Sequence, residues 1–159
     1  MNAPIVDKPD ATTLMIRRTF QADMDVLWQA LTDPKAWMQW FGGGHATPVT
    51  TTADLRPGGA WRIDMRGNES GNTISLVGEY VEIDRPRRVS FTWAWEASPE
   101  RGESLVTYTL SPGEADGETT LILTHERLVS EDIRDSHAMG WTATLELLAA
   151  HLAGGKSAS

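Results

Sequence analysis

Between residues 48 and 126 apolar and polar side chains alternate with a period of two, interrupted only by short turn signals. Trp61, Ile63 and Met65 alternate with Arg62, Asp64 and Arg66. Further on, Val89, Phe91, Trp93 and Trp95 alternate with Ser90, Thr92 and Ala94. Turns fall at Pro57-Gly58-Gly59, Asn68–Asn72, Arg85-Pro86, Ser98–Glu103 and Asp116-Gly117. Period-two runs joined this way predict an antiparallel meander of about six strands with one face buried. A curved sheet of that size cannot bury its inner face alone. The segment from Glu131 to about Leu152 is the only helical pattern long enough to cover it.

The remaining elements follow from local signals. Thr12–Phe20 reads as a strand. Asp23 is placed to cap a short helix through Leu31, with Val26, Leu27, Ala30 and Leu31 inward. Asp33-Pro34 starts a second helix, because proline at the first helical position forfeits no hydrogen bond. That helix should end near Trp40, before Gly42-Gly43-Gly44. Ser130 is placed to cap the long helix, and Gly154-Gly155 to stop it. Residues 1–11 and 154–159 are expected to be flexible tails, leaving one α+β domain over residues 12–153.

Charge and composition exclude several functions. The chain has 14 Lys and Arg against 22 Asp and Glu, a net charge of −8. Nucleic-acid binding rests on cations that neutralise phosphate, so it is not expected, and neither is membrane insertion. There is no cysteine, in keeping with a reducing cytoplasm and excluding thiolate chemistry. The four histidines, at 45, 125, 137 and 151, show no His-x-x-x-His pair, so neither metal nor cofactor is expected. No Gly-x-Ser-x-Gly elbow occurs, and Gly42-Gly43-Gly44 lacks the Lys-Ser/Thr of a phosphate loop.

The long helix is unusual where it should be most apolar. At about 100° per residue, Ile133, Gly140, Trp141, Leu147, Leu148 and Leu152 share one broad stripe. His137, Thr144 and His151, one heptad apart, fall near its middle. Such groups either find partners on the sheet or face a cavity, where water or a ligand meets them. His125 falls in step with Leu121 and Leu123 and so points inward, towards His137. It reads as a hydrogen-bonded core histidine, a polar contact to a ligand, or an acid/base group. Trp61, Trp93 and Trp141 are either plain core or the walls of a pocket.

Five segments carry a family resemblance. They are Val26-Leu27-Trp28-Gln29-Ala30-Leu31-Thr32-Asp33-Pro34, Asp54-Leu55-Arg56-Pro57-Gly58-Gly59, Gly78–Asp84 with Pro86, Phe91-Thr92-Trp93, and Arg134 to Gly140-Trp141. In this order the chain resembles the START-like (SRPBCC) superfamily, and within it the single-domain bacterial relatives of the C-terminal domain of the activator of Hsp90 ATPase. The resemblance implies a helix-grip fold, with an antiparallel sheet wrapped around the C-terminal helix and an elongated cavity between them. Members include lipid carriers, hormone-like ligand receptors and aromatic polyketide cyclases, so the fold alone does not fix the function. The leading expectation is non-catalytic binding of a small hydrophobic molecule, a lipid or an aromatic compound. The expected lining is Trp61, Met65, Phe91, Trp93, Tyr108, His125, His137, Trp141 and Thr144. The alternatives are a stress-related domain with a chaperone as partner, like the Hsp90 activator, and a cyclase-like enzyme using His125 and His137.

Overall fold

The alternating segments pair into one antiparallel sheet, and the C-terminal helix lies across its inner face. The structure, a computed structural model, describes residues 4–43 and 45–158, the last four by backbone alone. Residues 1–3, Gly44 and Ser159, which belong to the expected tails and the glycine run, lie outside the described residues. In chain order the elements are β1 (Ile5–Asp10), β2 (Thr13–Phe20), α1 (Met24–Thr32), α2 (Pro34–Trp40), β3 (Ala46–Ala53), β4 (Ala60–Gly67), β5 (Thr73–Asp84), β6 (Arg88–Trp95), β7 (Ser104–Pro112), β8 (Thr119–Glu126) and α3 (Glu131–Ala158). The eight strands run β1-β2-β8-β7-β6-β5-β4-β3 across the sheet. From β3 to β8 each strand pairs with its neighbour in sequence, and β2 joins the far side of β8. This is the expected helix-grip fold. No described helix is long and apolar enough to cross a membrane.

Both expected tails are corrected. Ile5–Asp10 form an edge strand on β2, although every side chain in it is exposed. An element that sends nothing into the core leaves no apolar period to read. It is held instead by its ladder to β2, by the Arg134 guanidinium donating to the Asp10 carbonyl at 2.7 Å, and by a Lys8–Asp135 ion pair at 2.9 Å. At the other end α3 runs through Gly154 and on to Ala158. Glycine ends a helix by turning left-handed, and Gly154 does not do so.

Caps and indoles fix the two short helices. The Asp33 carboxylate accepts from the Lys35 amide at 2.9 Å, as a capping side chain should. Asp23 occupies the cap of α1 without such a bond. The Trp37 and Trp40 indoles donate to the carbonyls of Leu31 and Ala30, both at 3.0 Å, and so bind α2 to α1. After Trp40 the chain turns through Gly42 and Gly43, at φ 116° and 63°. Gly43 lies so close to α3 that a Cβ there would stand 3.2 Å from both the Gly140 carbonyl and the Thr144 hydroxyl.

The driest part of the core lies between β2, β8 and α3, where Leu14, Ile16, Leu121, Leu123, Leu145 and Leu148 are fully buried. The buried line of α3 is Arg134, Ala138, Trp141, Leu145, Leu148 and Leu152. That line is centred about 70° around the helix from the one through His137 and Thr144. Leu147, expected inward, is therefore exposed (38%), and His137 and Thr144 lie on the flank of the packed stripe. On the sheet, the Trp61 indole donates to the Thr92 carbonyl at 3.1 Å, passing over Gly78. A Cβ at Gly78 would stand 1.9 Å from that carbonyl and 2.4 Å from the indole nitrogen, so no other residue fits there without movement. On the outer face Asp64 accepts from Thr50, Ser75 and Arg62 at 2.6, 2.7 and 3.0 Å. These bonds hold its carboxyl down at about 2.

Candidate functional site

The flank of α3 that leaves the packed stripe roofs a cavity of about 340 Å³. Its other walls are the chain at Phe41, Gly42, Gly43, His45 and Ala46, the inner faces of β4 and β5 at Met65 and Ile74, and the end of β6 with the turn that follows. Phe41, Met65, Ile74, Trp93, Trp95 and Trp141 supply apolar surface, and Arg101, His137 and Thr144 supply polar groups. Met139 stands on the lining at 77% exposure, so the cavity opens to solvent on that side. The volume lies within the range of small-molecule sites.

Five of the expected lining residues meet at this cavity: Met65, Trp93, His137, Trp141 and Thr144. Trp61, Phe91 and Tyr108 surround a separate void of about 20 Å³, room for little more than one water molecule. Their rings pack edge to face, Trp61 on Phe91 at 5.5 Å and Phe91 on Tyr108 at 5.3 Å. Burial pushes the Tyr108 hydroxyl far above its usual range. These three form the packed core behind the site. Trp93 and Phe41 line both spaces and so form the wall between them.

His125 lines neither space. It is fully buried (0% exposed), and both ring nitrogens are engaged. The Trp141 indole donates to Nδ1 at 3.0 Å. An indole N–H can only donate, so Nδ1 is the bare nitrogen and Nε2 carries the proton. Nε2 then donates to the Ser104 hydroxyl at 2.7 Å, which donates to the Trp93 carbonyl at 3.4 Å. Burial, and secondarily His137, hold the imidazole well below its ordinary pKa. This chain of donors fixes Trp141 and Trp93, the walls of the cavity, to each other and to β7.

His137 is the buried histidine of the cavity; His45, also on its lining, is exposed. The His137 ring lies 4.6 Å from that of His125 and stacks on Trp95 at 6.2 Å, the planes 22° apart. It is 8% exposed, and no hydrogen bond to its ring occurs among the described residues. Burial, and secondarily the positive charge of Arg101, lower its pKa to about 4. At neutral pH it therefore offers one donor and one acceptor to the cavity.

Two residues that matter here were not singled out from sequence. Trp95 continues the alternation of β6, a signal that could have found it. Arg101 sits in the turn after β6, where residues Pro99–Arg101 make one 3₁₀ turn closed by Gly102 at φ 72°. A lone arginine in a turn carries no pattern. In the structure its guanidinium lies over the Trp95 ring, 4.8 Å from the centroid. The Nε1 atoms of Trp93 and Trp95 and Nε of Arg101 are buried without hydrogen-bond partners. Among the described residues no Asp or Glu lines the cavity, and no three or more His, Asp or Glu lie grouped as a metal site requires.

An antiparallel sheet gripping a C-terminal helix, with a cavity along the helix flank, defines a START-like helix-grip protein. The chain belongs to the family described as Activator of Hsp90 ATPase homolog 1-like protein, whose model matches residues 21–153. The family covers ligand-binding and Hsp90-activator-like domains. Among solved structures the chain is similar to the AHSA1 protein from Silicibacter pomeroyi, at 30% identity and a TM-score of 0.77 over 89% of this chain and 97% of that one. It is similar to a protein from Rhodobacter sphaeroides, at 26% identity and a TM-score of 0.80 over 95% and 98%. It also resembles CalU16 from Micromonospora echinospora, at 27% identity and a TM-score of 0.68 over 96% and 85%. No curated protein gives a significant match.

Proposed function

We propose that the protein is a non-catalytic binder of a small, largely apolar molecule, held in the cavity between sheet and α3. The observation that carries this reading is the cavity itself: about 340 Å³, open at one side, with aromatic walls from three separate elements. Two of those walls, Trp93 and Trp141, are tied in place through His125, so the site is formed before a ligand arrives. An acid/base role for the His125–His137 pair is weakened, since both nitrogens of His125 are committed to structural bonds. The family description keeps an Hsp90-activator-like partnership as the second reading. It calls for a face that docks a chaperone and makes no use of the cavity.

Titration with neutral aromatic and acyl compounds, followed by tryptophan fluorescence and melting temperature, tests the proposal. A saturable change is expected, with a rise in melting temperature, because Trp93, Trp95 and Trp141 all border the site. Native mass spectrometry of freshly purified protein should show a co-purified small molecule. A broad screen without any saturable response, alongside direct pulldown of a chaperone, would replace this reading with the second.

A further inference from the structure

The charge on the cavity lining is of one sign. Nε1 of Trp93, Nε1 of Trp95 and Nε of Arg101 are sealed beneath its surface, so the end of the Arg101 guanidinium is what a ligand meets. Among the described residues the titratable groups on the lining are Arg101, His137 and His45, with no carboxylate. This holds in a chain whose overall charge is −8.

Arg101 is also placed as a receptor would place it. The turn after β6 carries it, and a cation–π contact with the Trp95 ring at 4.8 Å holds the guanidinium in place. No ion pair to Arg101 occurs among the described residues. Arg62, by contrast, is held by Asp64 and Glu96 at 3.0 and 2.7 Å. Phe41, Met65 and Trp141 give the cavity its apolar walls, with His137 and Thr144 as polar groups beside them.

We propose that the occupant is an amphipathic anion: a small aromatic or aliphatic carboxylic acid, its carboxylate received by Arg101, its apolar body against Phe41, Met65 and Trp141. This rests on the cavity being the binding site, as proposed above. A carboxylate offers only acceptors, and the guanidinium supplies both donors and the opposite charge. A neutral apolar molecule would fill the same walls but leave Arg101 unmatched.

The test compares naphthyl- and phenyl-alkanoic acids and medium-chain fatty acids with their own methyl esters and primary amides. Binding to the full chain is measured at about pH 7.5, where the acids are ionised. Tryptophan fluorescence and calorimetry provide the readouts. The acids are expected to bind about tenfold or more tighter than their neutral partners. In Arg101→Met that preference should collapse, the acids losing much more affinity than the esters. Trp95→Phe, which keeps an aromatic ring beneath the guanidinium, should leave most of the preference in place. Unchanged melting temperatures would show that both variants fold. Equal binding of acids and esters by the wild type, or a preference that survives in Arg101→Met, overturns the anion assignment and leaves the apolar-cavity reading standing. Failure of acids and neutral compounds alike overturns both.

Discussion

Five of the seven tryptophans fall into two neighbourhoods that treat the same side chain in opposite ways. Under α1 and α2, the indoles of Trp37, Trp40 and Trp61 each donate to a backbone carbonyl at 3.0–3.1 Å. Along the cavity, the N–H groups of Trp93 and of half-buried Trp95 lie buried without partners, although that of Trp141 is taken by His125. The two neighbourhoods touch, since the Trp61 and Trp93 rings are 6.0 Å apart. A closed core satisfies nearly all of its buried polar groups. The first region is finished in that sense, and what remains there is a void of about 20 Å³. The second keeps its bonding capacity in hand, and the larger cavity lies beside it. At these five indoles hydrogen-bond completeness, more than hydrophobicity, separates the two regions.

The largest effect should come from disturbing the finished region. Gly78→Ala forces a Cβ against the Thr92 carbonyl and the Trp61 indole. Denaturant unfolding should show a loss of about 3–5 kcal/mol. A loss below about 1 kcal/mol would mean that this region is looser than its geometry implies.

Acid should act next, and on the cavity side. Unfolded, His137 takes up its proton near 6.5; folded, it does so only near 4. Between those values the unfolded state binds more protons, so stability is complete above about 6.5 and falls as the pH drops towards 4. A gap of about 2.5 pH corresponds to about 3 kcal/mol. His125, shifted in the same direction, adds to the loss. Asp64 belongs to a lower window, since its contribution disappears only as pH falls below the usual carboxylate range towards 2. Unfolding midpoints between pH 4 and 7 should therefore fall more steeply for wild type than for His137→Leu. Parallel curves would contradict a buried neutral His137.

Trp61→Phe and Trp95→Phe then make a direct pair. The first strands the Thr92 carbonyl and should lose about 1–2 kcal/mol. The second removes a donor that has no partner, so stability should hold or rise slightly. Equal losses in the two variants would erase the distinction between the regions. The smallest change in stability is expected for His137→Leu at neutral pH, within about 0.5 kcal/mol of wild type, accompanied by weaker or altered ligand binding. A loss above about 2 kcal/mol with affinity untouched would return His137 to the core.

The sheet was legible because its inner face is buried strand after strand, so Trp61, Ile63 and Met65 announce their direction. β1 escaped because it is held by backbone and by Arg134 and Lys8, with no burial to mark it. On α3 the polar heptad line was visible, but its place beside the stripe depends on how the helix rolls onto β2 and β8. The inward direction of His125 could be read from its parity with Leu121 and Leu123. Its role could not, because Ser104 and Trp141 reach it from 21 and 16 residues away. Arg101 became part of the site only when the turn after β6 folded back over Trp95.

The two outer strands bear on how copies of the protein behave towards one another. An open sheet ends in rows of unpaired amides and carbonyls, which can template the addition of a strand from another chain. Here β1 carries Pro9 among Asp7, Lys8 and Asp10, and its register slips between Asp7 and Asp10. At the opposite margin β3 carries Pro48, and its register slips between Pro48 and Thr50. Proline removes a donor and an irregular register breaks the spacing that a newcomer must match. Both margins thus discourage a ninth strand, and the sheet can remain open around its helix at high protein concentration without growing into a fibre.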